Sequence, residues 1–283
     1  AKEEIYSTSE NRIALSMLYY CEKKILDFFN IRKDNKNKKI IDNFEEYLEK
    51  KQKTLGFTLS SEQQKAVELI NSGEKTLFLI GYAGTGKSTS SRAILELLEE
   101  IVSYDDIIAI ALSGIASQRI SDTTGYNAST IQSLLVKHKE KDFFPYKIIL
   151  LDEASMVNSV TFAQIISKIS DDTIFIIVGD DGQLPAIGAG NILADSIKYE
   201  LAPICKLTKI YRQNENQAIA VIANDIRKGE LPNYKEEYED FKFVDVSIGN
   251  YYSMKNSLTQ NEFSDMRGEN SEYILNNILN IAS

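Results

Sequence analysis

The stretch TLFLIGYAGTGKSTSSRAILELLEE, residues 76–100, decides how the chain folds. Thr76 to Ile80 is an apolar run of strand length, and Ser90 to Glu100 carries apolar residues at helical spacing. Between them GYAGTGKS, residues 81–88, fits the pattern G-x-x-x-x-G-K-[ST]. Gly81, Gly84 and Gly86 permit backbone turns that aim successive N–H groups at one point, and a helix starting there favours negative charge at that point. A nucleoside triphosphate suits the geometry: Lys87 reaches β and γ oxygens, and the Ser88 hydroxyl can ligate Mg²⁺. Thr85 and Thr89 belong to the same contact stretch. A glycine turn with an incidental lysine is the plain alternative, which the flanking strand and helix disfavour.

Outward from this loop, Ile107 to Leu112, Ile148 to Leu151 and Thr173 to Val178 are further apolar runs separated by helical stretches. Short, continuously apolar strands of this kind indicate an α/β fold with a parallel sheet covered by helices on both faces. Upstream, Ile13, Met17, Leu18, Ile25, Leu26 and Phe29 recur at helical spacing, and a second such run goes from Ile40 to Leu48. Between them RKDNKNKK, residues 32–39, is expected to be an exposed loop. The spacing thus predicts a small helical domain over residues 1–54 and an α/β domain over 55–208, with 209–283 as a linker and the start of something further.

The net charge of −9 argues against a nucleic-acid partner for the chain as a whole. Its distribution weakens that objection: residues 229–283 carry 4 basic against 10 acidic side chains, whereas residues 1–55 carry 12 against 10. Lys33, Lys36, Lys38 and Lys39 are candidates for phosphate contact, but Asp34 and the asparagines favour a solvated or protein-docking surface. Cys21 and Cys205 have no metal or redox spacing and read as reduced thiols of a cytoplasmic protein. No apolar run approaches the roughly 18 residues of a membrane helix. His138, the single histidine, is expected on an exposed loop.

IILLDEAS, residues 148–155, runs an apolar strand straight into two adjacent carboxylates, at the strand end where such sheets place ligands. Asp152 is the candidate Mg²⁺ ligand and Glu153 the group that polarises the attacking water; a turn or helix cap is the bland alternative. GDDGQLP, residues 179–185, offers the Gln183 amide to the γ-phosphate. LTKIYRQ, residues 207–213, supplies Arg212, whose planar fork suits phosphate oxygens.

Taken in order, LSSEQQKAV, GYAGTGKST, LLDEASMV, VGDDGQLP and LTKIYRQ resemble the RecD-like branch of superfamily 1 helicases over about residues 57–232. The resemblance implies a RecA-like P-loop NTPase domain, with Gln63 reading adenine, Gln183 coupling nucleotide to DNA, and Arg212 meeting the γ-phosphate from the edge of a second motor domain. It implies ATP and Mg²⁺ as cofactors and 5′ to 3′ movement along single-stranded DNA. AIALSGIASQRI, residues 109–120, and ASTIQSLL, residues 128–135, resemble the family's DNA-contact motifs, with Ser113 and Thr130 as the contacting hydroxyls. Ser113 stands where Thr is usual and Gln132 where His is common; ordinary helix caps are the other reading of both motifs. Where relatives insert a duplex-splitting pin, only VKHKEKDFFPYK, residues 136–147, is available. Phe143 and Phe144 are either a shortened wedge or buried residues leading into the next strand. The family's later motifs, which complete a second RecA-like domain, have no counterpart after Arg212, so 209–283 is expected to be a linker and the incomplete beginning of that domain, in a piece of a longer protein or, less favoured, in a chain that has lost its second motor half. A nucleotide-dependent switch or assembly ATPase that does not translocate is the alternative function.

Overall fold

The computed structural model describes residues 5–7, 13–56, 58–82 and 84–209, with positions 222, 225, 226, 229 and 230. Its centre is a six-stranded sheet of β3 (Thr76–Gly81), β4 (Ile107–Ala111), β5 (Ala128–Thr130), β6 (Ile148–Leu151), β7 (Ile174–Gly179) and β8 (Ile204–Leu207). The order is β5-β4-β6-β7-β3-β8, and every pairing is parallel. The four strands expected from apolar runs are present to within a residue at each end, whereas β5 and β8 at the two edges are additional.

A period of two along each strand sorts the apolar side chains to two faces. Phe78, Ile80, Ile108, Ile110, Ile149, Leu151, Phe175 and Ile177 join one core. Leu77, Leu79, Ile107, Ala109, Ile148, Leu150, Ile174 and Ile176 join the other. Both faces being covered, the central strands could not alternate apolar with polar residues, hence their unbroken runs in the sequence. The first core is covered by α1 (Ser16–Lys33), α6 (Ile131–Lys137), α7 (Ser159–Ile166) and α8 (Ile192–Lys198). The second is covered by α2 (Phe44–Leu55), α3 (Ser61–Asn71), α4 (Lys87–Leu98) and α5 (Gly114–Thr124). No helix among the described residues is long and apolar enough to cross a membrane.

The N-terminal segment departs from the expected separate helical unit. Ile13 to Leu15 is not helical but forms β2 (Ile13–Leu15), antiparallel to β1 (Ile5–Ser7). Ile25 and Phe29 of α1 enter the first core beside Phe78, Phe162 and Phe175, and Leu48 of α2 enters the second. These helices close no core of their own because their apolar stripes fit the sheet's covering layers. Arg32, 5 % exposed, fixes the junction: it donates to Thr76 Oγ1 and Lys75 O at 2.9 Å, to Ser170 O at 3.2 Å and to Thr173 O. Ile40 and Ile41 also lie outside a helix. Their N–H groups bond to Asn71 O and Asn71 Oδ1, so the basic loop is strapped to the turn after α3, with Lys36 paired to Glu74.

Residues 1–212 make one compact unit and residues 213–283 a second.

Candidate functional site

The parallel sheet brings the ends of β3, β6 and β7 side by side, because β7 lies between the other two. From β3 the chain enters the glycine loop. Gly84 and Gly86 take φ of 82° and 85°, left-handed values costly to side-chain-bearing residues, and Gly86 is the N-cap of α4. The first turn of α4 holds no acidic residue, leaving its N–H groups and dipole open to an anion. Lys87 Nζ donates to Gly81 O at 2.6 Å and Tyr82 O at 3.1 Å, curling the ammonium over the loop. Burial lowers its pKa, while Asp180, Glu153 and Asp152 pull it back up.

From β6 come the carboxylates. Asp152 N–H continues the ladder to Ile110 O at 2.8 Å, then Glu153 turns left-handed with φ of 51° and breaks it. Such a conformation costs a residue like Glu on the order of 1 kcal/mol and is typically retained where a side chain must be aimed. Glu153 Oε2 is buried with no hydrogen-bond partner among the described residues. Burial and neighbouring Glu153 raise the Asp152 pKa to about 6, opposed by a backbone hydrogen bond from Glu153 and by Lys87 and Arg119. At the end of β7, Asp180 is 1 % exposed and accepts from Gly182 N–H at 2.9 Å. Gln183 follows, its Oε1 accepting from Ser155 Oγ at 3.0 Å.

One cavity of about 270 Å³ joins these groups. Gly84, Gly86, Lys87, Ser88, Thr89, Asp152, Glu153 and Gln183 line it, all expected from sequence; so do Tyr82, Arg119, Ile120 and Thr123, which were not. Tyr82 sits inside the glycine motif and was legible there. The α5 residues carried no such signal.

Three expected contacts stand behind the cavity wall. Gly81 ends β3, packed against Leu207 and Thr85. Thr85 is 1 % exposed and spends its hydroxyl on Tyr82 O at 2.8 Å, closing the turn. Gln63, 4 % exposed, forms a reciprocal cap with Ser60, and its Nε2 lies 3.5 Å from Gly86 O, so it touches the loop from beneath. Arg212 lies outside the described residues, as does most of residues 210–283. The segment leading there is held by Glu62, whose carboxylate accepts from Thr208 N–H at 2.7 Å and from the Thr208 hydroxyl at 2.5 Å.

Ser113 and Thr130 are N-caps of α5 and α6, accepting from Ala116 N–H at 3.2 Å and Ser133 N–H at 3.1 Å. They stand together at the carboxyl ends of neighbouring strands, where Ala111 is in register with Thr130. His138 is a correction: it is 4 % exposed rather than on an exposed loop, because α6 ends there and its ring packs edge-on to Phe144 and Tyr146. Phe143 and Phe144 divide, the first 53 % exposed and the second 5 %.

A family model described as AAA domain matches residues 58–247. The chain belongs to the AAA domain family. The motif resemblance to RecD-like helicases is borne out by relatives of this AAA domain. The ATP-dependent RecD2 DNA helicase of Deinococcus radiodurans is 30 % identical over 185 residues, covering 63 % of this chain and 25 % of that protein. The ATP-dependent DNA helicase RRM3 of Saccharomyces cerevisiae is 30 % identical over 202 residues, covering 61 % and 28 %. Among solved structures, the Pif1 helicase of Candida albicans aligns with a TM-score of 0.47 at 23 % identity, over 62 % of this chain and 45 % of that one. The matched region thus spans little more than a quarter of these two curated relatives.

Proposed function

We propose that the chain is the first motor domain of an ATP-driven DNA helicase, hydrolysing ATP to move along single-stranded DNA in the cytoplasm. A 5′ to 3′ direction follows from its likeness to the RecD-like branch. The observation that carries the reading is the meeting of glycine loop, carboxylate pair and Gln183 in one cavity. In it the N–H groups of the loop cradle the β-phosphate and Lys87 swings to the β and γ oxygens. Mg²⁺, when bound, neutralises charge between those oxygens. Ser88 and Asp152 would hold it, a small donor set that suits an ion which keeps water and phosphate as its other ligands.

Glu153 takes the proton of the attacking water, for which its buried, unpartnered Oε2 is suited, and ADP and phosphate leave. Gln183 would sense the γ-phosphate and relay its loss through Ser155. Gln63, beneath the loop, would read the base. Arg212 would stabilise the developing charge from the edge of a second motor domain, and without the rest of that domain turnover is expected to be slow. Ser113 and Thr130, at adjacent strand ends, would hold DNA phosphates without reading sequence, Thr130 by redirecting the hydroxyl it donates to Ser133 Oγ.

Binding of a fluorescent ATP analogue and phosphate release, with and without oligothymidylate, test this. Lys87→Ala removes binding; Glu153→Gln keeps binding and stops release; single-stranded DNA accelerates the wild type. Equal turnover by Glu153→Gln refutes the assigned base, and a rate indifferent to DNA refutes the motor.

A further inference from the structure

We propose that Arg119 is a phosphate-contacting residue of this site, a second cation that α5 carries to the triphosphate from the same domain as the glycine loop. The proposal rests on the reading of the cavity as a triphosphate site. Arg119 lines the cavity together with Lys87, Asp152, Glu153 and Gln183.

Its placement follows from how α5 is held. Ser113 caps the helix, α5 packs on α4, and Ile120, 2 % exposed, anchors the adjoining position in the core that α4 shares. With that face fixed, Arg119 and Thr123, one turn apart, both line the cavity that Ser88 and Thr89 also border. The Arg119 guanidinium makes no hydrogen bond or ion pair with the described residues, in contrast to Arg92, whose Nε is held by Glu96 at 2.8 Å. Its charge is nevertheless felt across the cavity, lowering the pKa of both Lys87 and Asp152.

The charges of the lining give the reason for a second cation. Lys87 alone is outnumbered by Asp152 and Glu153, and Asp180 adds a further carboxylate behind them. A magnesium-chelated triphosphate still brings net negative charge, so a cavity without Arg119 would oppose its own ligand. Arg119 and Lys87 match Asp152 and Glu153 charge for charge, leaving only Asp180 behind them, and the planar fork of Arg119 can grip two phosphate oxygens where an ammonium meets them as a point. It is distinct from Arg212, which lies outside the described residues.

The test is titration of a fluorescent ATP analogue with Mg²⁺ into wild type, Arg119→Ala, Arg119→Lys and Arg92→Ala, each checked by thermal melting. Arg119→Ala is expected to weaken binding about tenfold or more and to raise KM for ATP, the loss of one charge-assisted contact. Arg119→Lys recovers part of it, and Arg92→Ala, which removes a comparable surface charge, leaves it unchanged. Wild-type affinity in both Arg119 variants overturns the proposal. Failure of the wild type itself to bind the analogue overturns the triphosphate reading, and this inference with it.

Discussion

Asp152→Asn should make the nucleotide-free protein more stable while removing its response to nucleotide. In the fold the Asp152 carboxyl is raised from the ordinary 3.8 to about 6 by burial and by Glu153, against the pull of Lys87 and Arg119. At neutral pH the protein therefore holds an ionised carboxylate in a place that disfavours it. A shift of roughly two units is worth about 3 kcal/mol at 1.36 kcal/mol per unit. Asn has the shape of the protonated acid and none of its charge, so it should recover about 1–3 kcal/mol. For a protein of this size that is a rise of roughly 2–10 °C in melting temperature.

The sign of the pH dependence follows from which state binds the proton. Between about pH 6 and 3.8 the folded chain holds a proton that the unfolded chain does not, so the penalty is complete above pH 6 and is relieved as pH falls. Melting of wild type and Asp152→Asn at pH 7.5 and pH 5, without nucleotide, should give a difference that is large at the first and smaller at the second. A variant that melts no higher than wild type at pH 7.5, or a difference that does not shrink on acidification, refutes the reasoning. Added Mg²⁺ and ATP should then raise the melting temperature of wild type alone.

Arg32→Ala strands the carbonyl of Thr173, while Lys75 O keeps its bond from Phe175 N–H, and should cost about 1–3 kcal/mol in urea unfolding. Phe144→Ala removes a buried ring and should cost about 3 kcal/mol, whereas Phe143→Ala should change stability by less than about 0.5 kcal/mol. If the exposed ring serves as a wedge, forked-duplex separation falls in Phe143→Ala while DNA-stimulated hydrolysis persists. The His138 pKa is lowered by burial and by Lys141, Lys137 and Lys168, so its contribution to stability is present above the ordinary histidine pKa and lost as pH falls below it. His138→Leu should accordingly lose less melting temperature than wild type between pH 7 and pH 5.

The central strands were legible because burial on both faces leaves no freedom of composition: β3, β4, β6 and β7 had to be continuous apolar runs. The edge strands had more freedom. β5 is AST, only partly buried, and β8 is ICKL, with Lys206 pointing outward, so neither shows a strand pattern by itself. At the N-terminus, apolar spacing found the helices α1 and α2 but overran their starts. Ile40 and Ile41 satisfy a helical period, but their backbone is taken by Asn71, a partner 30 residues away in the case of Ile41. His138 was misplaced for the same reason: its polarity suggests a loop surface, while its environment is set by Phe144 and Tyr146, which sequence spacing alone does not place on its ring.

The cavity shows where motif reading stops. Nearly every motif residue has a local task that accounts for it without a ligand. Ser113 and Thr130 cap helices, Thr85 closes a turn, and Gln63 completes a capping box. What separates function from cap is convergence, and convergence is decided by register. β6 pairs with β4 so that Leu151 faces Ile110, and with β7 so that Leu151 faces Ile177, leaving Asp152 and Asp180 at the same end of the sheet as the loop after β3. Arg119 is the residue most dependent on that assembly. Its neighbours in sequence mark it only as one polar position in a helix, and the packing of α5 on α4 is what turns that position toward Lys87.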